Sequence, residues 1–178
     1  MVLTRLIGLF FLFWSYTTIA QPANVQMSVW VNEAIIATYT FDYQNFLTQQ
    51  KEIAKYFTSE GWINYSNAFN NSKLPEAVQQ NKYFVSAVAL MPPVVKEVGK
   101  NHWQGIMPTL VVYKNPQYEQ KQTLEVTINF AIAPGGQGVR GLAITSLQSK
   151  TVSPPCQCPA GESEPATPAT IPDTKKAS

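Results

Sequence analysis

A chain of 178 residues, 45% hydrophobic and 12% aromatic, has the material for one globular domain with a substantial core. Its charged fraction is only 13%, and 13 Lys and Arg against 11 Asp and Glu leave a net charge of +2 with no basic block. This excludes a nucleic-acid groove and a disordered polyelectrolyte, and one His with two Cys excludes a Cys/His zinc site built from this chain alone.

The chain opens with Arg5, an unbroken apolar run from Leu6 to Trp14, and a polar stretch that ends in Thr18-Ile19-Ala20. This is the layout of an export signal, with cleavage expected between Ala20 and Gln21. The run is shorter than the roughly 20 apolar residues of a spanning helix. Residues 1–20 are therefore read as a signal peptide, and the mature protein as working outside the cytoplasm. The alternative is an uncleaved membrane anchor, and membrane contact is expected only in that case. The opposite end, 153–178, holds six of the 13 prolines and no aromatic residue. Such a segment cannot bury enough apolar surface to offset its ordering entropy, and it reads as a disordered, proline-rich tail. The folded domain is expected over 21–152.

Within it, Val29 to Tyr39 is ambiguous, because β-branched residues compete with a helical stripe. Asp42 reads as an N-cap, with Phe41 and Phe46 as a hydrophobic staple. Tyr43, Phe46, Leu47, Ile53, Ala54 and Phe57 then share one helical face, and Gly61 suits a stop. A helical turn or two from Trp62 to Phe69 brings Trp62, Tyr65 and Phe69 together, and Pro75 fits the first turn of a short helix through Gln80. The second half reads as strands. Leu124, Val126, Ile128, Phe130 and Ile132 alternate with Thr123, Glu125, Thr127, Asn129 and Ala131, which marks a half-buried strand. Tyr83–Leu90, Trp103–Tyr113 and Leu142–Leu147 supply three more, separated by Pro92-Pro93, Asn115-Pro116 and Pro134-Gly-Gly. The gaps are too short for crossover helices, so the four strands should form an antiparallel meander. Helices followed by strands define an α+β fold, with the helices on one face of a curved sheet.

The motifs carry little chemistry. Gly136-Gln-Gly138-Val-Arg-Gly141 has the glycine spacing of a dinucleotide loop, but a strand follows it where the pyrophosphate would need a helix. It reads as a hairpin loop whose glycines supply positive φ. His102 opens a strand beside Trp103 and has no evident acid–base partner. Glu33, Glu52, Glu60, Glu76 and Glu97 form no defensible pair. Hence no catalytic, cofactor-binding or metal residues are assigned. Cys156 and Cys158 are spaced for a strained local disulfide, for a cross-link to another chain, for weak metal or redox work, or for no defined role. Arg140 and Trp103 are candidate interface residues, because exposed aromatic and Arg side chains are common in binding surfaces.

Several blocks resemble one family. They are Val31-Asn-Glu-Ala-Ile-Ile-Ala-Thr-Tyr-Thr-Phe-Asp-Tyr43, Gln50-Lys-Glu-Ile-Ala-Lys-Tyr-Phe-Thr58 with Gly61-Trp62, and Asn81-Lys-Tyr83. Val111-Val-Tyr-Lys-Asn-Pro-Gln-Tyr118 and the glycine loop complete the set. In this order they resemble the IcmL/DotI proteins, inner-membrane components of type IVB (Dot/Icm) secretion systems related to the TraM proteins of conjugation. The resemblance implies an NTF2-like periplasmic domain, with N-terminal helices on a curved four-stranded antiparallel sheet, and a helix over Val29 to Tyr39. It implies assembly rather than catalysis, with other type IVB subunits as partners and self-association as a further expectation. Family members place a cytoplasmic segment and a transmembrane helix before this domain, where this chain has an apparent signal peptide. A free periplasmic module for a small apolar ligand is the alternative function.

Overall fold

The computed structural model describes residues 23–133, 135 and 137–153. Ala20, Gln21, Cys156 and Cys158 lie outside the described residues, as do the expected signal peptide and nearly all of the expected tail. Among the described residues four helices come first: α1 (Ala23–Thr38), α2 (Phe46–Ala54), α3 (Ser59–Asn71) and α4 (Leu74–Asn81). A two-residue strand, β1 (Phe41–Asp42), sits between α1 and α2. The strands β2 (Phe84–Ala89), β3 (Val94–Gly99), β4 (His102–Lys114), β5 (Glu119–Ile132) and β6 (Leu142–Thr151) follow.

Helix α1 settles the ambiguous segment. Trp30, Val31, Ala34, Ile35 and Thr38 are fully buried on one side of it. That spacing fits a helix and not a strand, and tertiary burial overrides the β-branched content. Each large apolar side chain buried here contributes roughly 1.5–3 kcal/mol. The stripe rests on the inner face of the sheet, where Met107 and Val111 of β4 and Val126, Ile128 and Phe130 of β5 are also buried. Gly105 of β4 makes the contact close. A Cβ there would lie 2.8 and 2.9 Å from the two Val31 methyl carbons.

Among the described residues the sheet is antiparallel throughout and has six strands, not four, in the order β1-β2-β4-β5-β6 with β3 also on β4. It is also not a simple meander. Strand β2 pairs with the C-terminal half of β4, and β3 with its N-terminal half, so the two lie end to end along one edge. The break between them, Leu90–Pro93, faces Met107 and Pro108. Pro108 can sit in this central strand because its nitrogen points into that break. Its carbonyl, on the same edge, accepts from Leu90 N–H at 2.9 Å. The turn at Asn115 satisfies itself, with Asn115 Oδ1 accepting from the Gln117 and Tyr118 N–H groups at 2.9 and 2.7 Å.

Three local expectations change. Asp42 lies in β1 and does not cap the next helix, whose N-cap is Asn45. Its Oδ1 instead accepts from the N–H groups of Gln44 and Asn45, both at 2.8 Å, and closes the turn before α2. The staple rings do meet, Phe41 and Phe46 being edge to face at 5.9 Å. Because α2 starts later than expected, Leu47 points outward and is 76% exposed. Gly61 does not stop a helix. It lies in the first turn of α3, where its N–H donates to the Thr58 cap oxygen at 3.1 Å. The preceding residues run along β6 as a short parallel bridge, Phe57 opposite Ile144, with Ile144 N–H donating to Tyr56 O and Thr58 N–H to Ile144 O. They cover the edge of β6 there.

Candidate functional site

Two of the concave surfaces among the described residues gather aromatic side chains from distant parts of the chain. The first is a cleft of about 590 Å³ between α3 and the inner face of the sheet near the ends of β5 and β6. Three tyrosines from distant parts of the chain reach it: Tyr39 just after α1, Tyr65 on α3 and Tyr113 on β4. Tyr65 is held by stacking on Phe57 at 5.0 Å and on Phe69 at 5.6 Å, and Tyr113 by an edge contact with Tyr83 at 6.3 Å. Burial pushes the Tyr39 hydroxyl up to about 12, while the Ser149 side chain pulls the other way. Burial also raises Tyr65, and the charge that Tyr39 or Tyr113 would carry on ionising adds to this. Tyr113 is raised by burial as well. All three are therefore neutral hydroxyl donors at any physiological pH. The remaining polar lining is amide and hydroxyl, with Asn64, Gln122 and Ser149 among it, and no lining residue carries a charge.

The second surface is a groove of about 720 Å³ between the start of α1 and the sheet, at the loop that joins β5 to β6. Both expected interface residues, Trp103 and Arg140, lie in its wall. Trp103 is half-buried and stacks on Phe130 at 5.7 Å. Arg140 forms an ion pair with Glu33 of α1. Trp30 Nε1 donates to Val139 O at 2.9 Å, a second tie between α1 and the loop. The loop is a hairpin connection, as its glycines suggested. Gly138 and Gly141 have φ of 75° and 76°, Arg140 itself has φ of 53°, and strand β6 follows directly. Around the groove Val25, Val29 and Ile132 are exposed, the last two at 47% and 54%.

The sequence did not single out Tyr39, Tyr65 and Tyr113 as one cluster, because no short-range spacing links them. It did not mark Val25, Val29 and Ile132 either, since Val29 sits in the ambiguous segment and Ile132 in an alternation that reads as core. His102 is exposed, with Nδ1 2.8 Å from Lys100 O, and stands apart from both surfaces. Among the described residues, no three His, Cys, Asp or Glu side chains are grouped to hold a metal ion. No helix among them is long and apolar enough to cross a membrane.

Helices packed on a curled antiparallel sheet, with a cleft between the two, define an NTF2-like domain. An NTF2-like superfamily protein of Salmonella enterica serovar Typhimurium shares that fold, with a TM-score of 0.51 at 13% identity over 80% of this chain and all of that one. The family model of the DotI/IcmL inner-membrane complex component of type IVb secretion systems matches residues 15–151, and the chain belongs to that family. It is similar to an IcmL-like type IV secretion system protein of Legionella pneumophila, with 65% identity and a TM-score of 0.75. That match covers 77% of this chain and 99% of the other. The periplasmic domain of DotI is 26% identical with a TM-score of 0.68, over 74% of this chain and 98% of that one. No match was found among curated proteins.

Proposed function

We propose that this chain is a periplasmic, non-enzymatic part of a type IVB secretion or conjugation apparatus, and that it works by docking to other subunits without turnover. Membership of the secretion family supports the setting. The observation that carries the docking surface is the groove at the start of α1. There exposed apolar side chains surround a half-buried Trp and an Arg, the residue types that anchor protein interfaces. In-cell cross-linking and pull-down of the tagged protein from the envelope tests it. Other subunits, or a second copy carrying a different tag, should be recovered with the native chain. They should be lost with Val29→Glu combined with Ile132→Glu, and kept with Leu47→Glu on the exposed side of α2. Recovery of the protein alone would overturn the proposal.

The tyrosine cleft supports a second reading, a free module that binds a small ligand. Its uncharged lining restricts the ligand to a neutral molecule, and its amides and hydroxyls ask for more hydrogen bonding than a purely apolar ligand offers. A rise in Tm with one member of a neutral-compound library supports this reading, and a flat response across the library counts against it.

A further inference from the structure

We infer that the tyrosine cleft is the docking site for the proline-rich segment of this same chain that follows β6, Pro154-Pro155-Cys156-Gln157-Cys158-Pro159. Three observations point to it. The first is position. The last strand residue, Thr151, is itself part of the cleft wall, and its hydroxyl is bound by Gln122 Nε2 at 2.8 Å. The final ladder bond, from Val152 N–H to Thr123 O at 2.9 Å, delivers the chain at the rim. In an extended polyproline geometry six residues reach about 19 Å, so a segment that starts at the rim is long enough to run into the cleft.

The second is charge. Among the described residues none that lines the cleft is charged, and the segment from Ser153 to Ala160 is uncharged too. The charges of the C-terminal region begin only with Glu162 and continue at Glu164, Asp173, Lys175 and Lys176. The change from neutral to charged sequence comes where the chain would leave the cleft.

The third is recognition chemistry. Proline-rich segments bind to aromatic-lined grooves, where prolines lie on rings and ring hydroxyls donate to backbone carbonyls. Pro lacks an N–H, so the carbonyls around it have few internal donors. The cleft offers three rings whose hydroxyls are held neutral by burial, together with amide side chains at the rim. The segment is tethered at the cleft, so a weak contact suffices, because a short tether supplies a high effective concentration.

Cys156 and Cys158 are the only two cysteines of the chain, which gives a direct test. A nitroxide is placed on Cys158 of the full-length protein carrying Cys156→Ser, and amide signals are followed by NMR. The expected result is signal loss confined to the cleft wall, at Asn64, Tyr65, Leu147 and Ser149, and recovery of those signals when Pro154→Gly and Pro155→Gly are added. Tyr39→Phe and Tyr113→Phe keep the rings and should weaken the loss, which a purely structural role of the hydroxyls would not do. Signal loss that is absent, or spread evenly over the surface, overturns the inference. So does signal loss in a mixture where the nitroxide and the isotope label sit on different molecules, since that shows docking between copies. None of these outcomes depends on the groove at α1, so the inference and the proposed function can fail separately.

Discussion

At the scale of single residues, two glycines show what side-chain absence does here. Gly61 lies under β6, where a Cβ would come within 2.6 Å of Ile144 O and 3.0 Å of Thr145 O. Backbone atoms in a bridge cannot move aside easily. Gly61→Ala is therefore expected to cost about 1–3 kcal/mol in urea unfolding. Gly99→Ala meets nothing closer than His102 Cβ at 3.8 Å and should stay within about 0.5 kcal/mol. The sequence shows that a glycine is present but not which of its freedoms is used. Gly61 therefore read as a helix stop, when its use is close approach. The tyrosines set a pH dependence of definite sign. Below pH 10 both folded and unfolded chains keep the phenolic protons, and the contribution of these groups to stability is full. Above pH 10 the unfolded chain loses protons that the folded chain retains. Stability then falls, by at most about 1.4 kcal/mol per pH unit for each group, until Tyr39 itself ionises near 12. Urea midpoints measured from pH 8 to pH 11 should fall above pH 10, and Tyr65→Phe should flatten the fall.

At the scale of elements, what the sequence disclosed depended on whether an element buries a face. Strand β5 was legible because its alternation is complete and its even positions from Leu124 to Phe130 are core. Strand β3 was not. Only Val95 of its residues packs against the core, Val94 and Val98 are exposed, and Pro92-Pro93 just before it reads as a turn. An edge strand of this kind carries Lys96 and Glu97 and a bulge, features that blunt pairing with other chains and also blur the pattern. The region around α2 was misjudged for a related reason, since Asp42 has the chemistry of a cap and uses it on a turn. The groove was half legible. Trp103 and Arg140 could be named from their residue types, but their shared wall needs the β5–β6 loop folded onto α1. The ties of that loop allow stability and binding to be separated. Arg140→Gly removes a surface ion pair worth at most about 1 kcal/mol and relieves a left-handed backbone that Gly adopts freely. The unfolding midpoint should therefore change little, while cross-linking to partner subunits drops if Arg140 anchors them.

At the scale of the whole molecule, the N-terminal segment decides whether the domain stays at a membrane. The matched family is an inner-membrane complex component, and the match begins at residue 15, ahead of the cleavage expected between Ala20 and Gln21. The apolar run from Leu6 to Trp14 would make a helix of about 14 Å, against a hydrocarbon layer of about 30 Å. A run that short suits the apolar region of a signal and spans poorly. The consequence reaches the proposed docking groove, because α1 begins at Ala23 and its first turns carry Val25 and Val29 of its wall. An anchor kept at residues 1–20 would hold that groove against the bilayer surface and limit its partners to those that approach along the membrane. Cleavage would free it for partners anywhere in the periplasm. Mass spectrometry of the protein recovered from cells distinguishes the two. The expected chain begins at Gln21 and is released by osmotic shock. A chain that begins at Met1 and stays with the membrane pellet would replace the signal reading with the anchored one. The groove would then be a surface that works beside the bilayer.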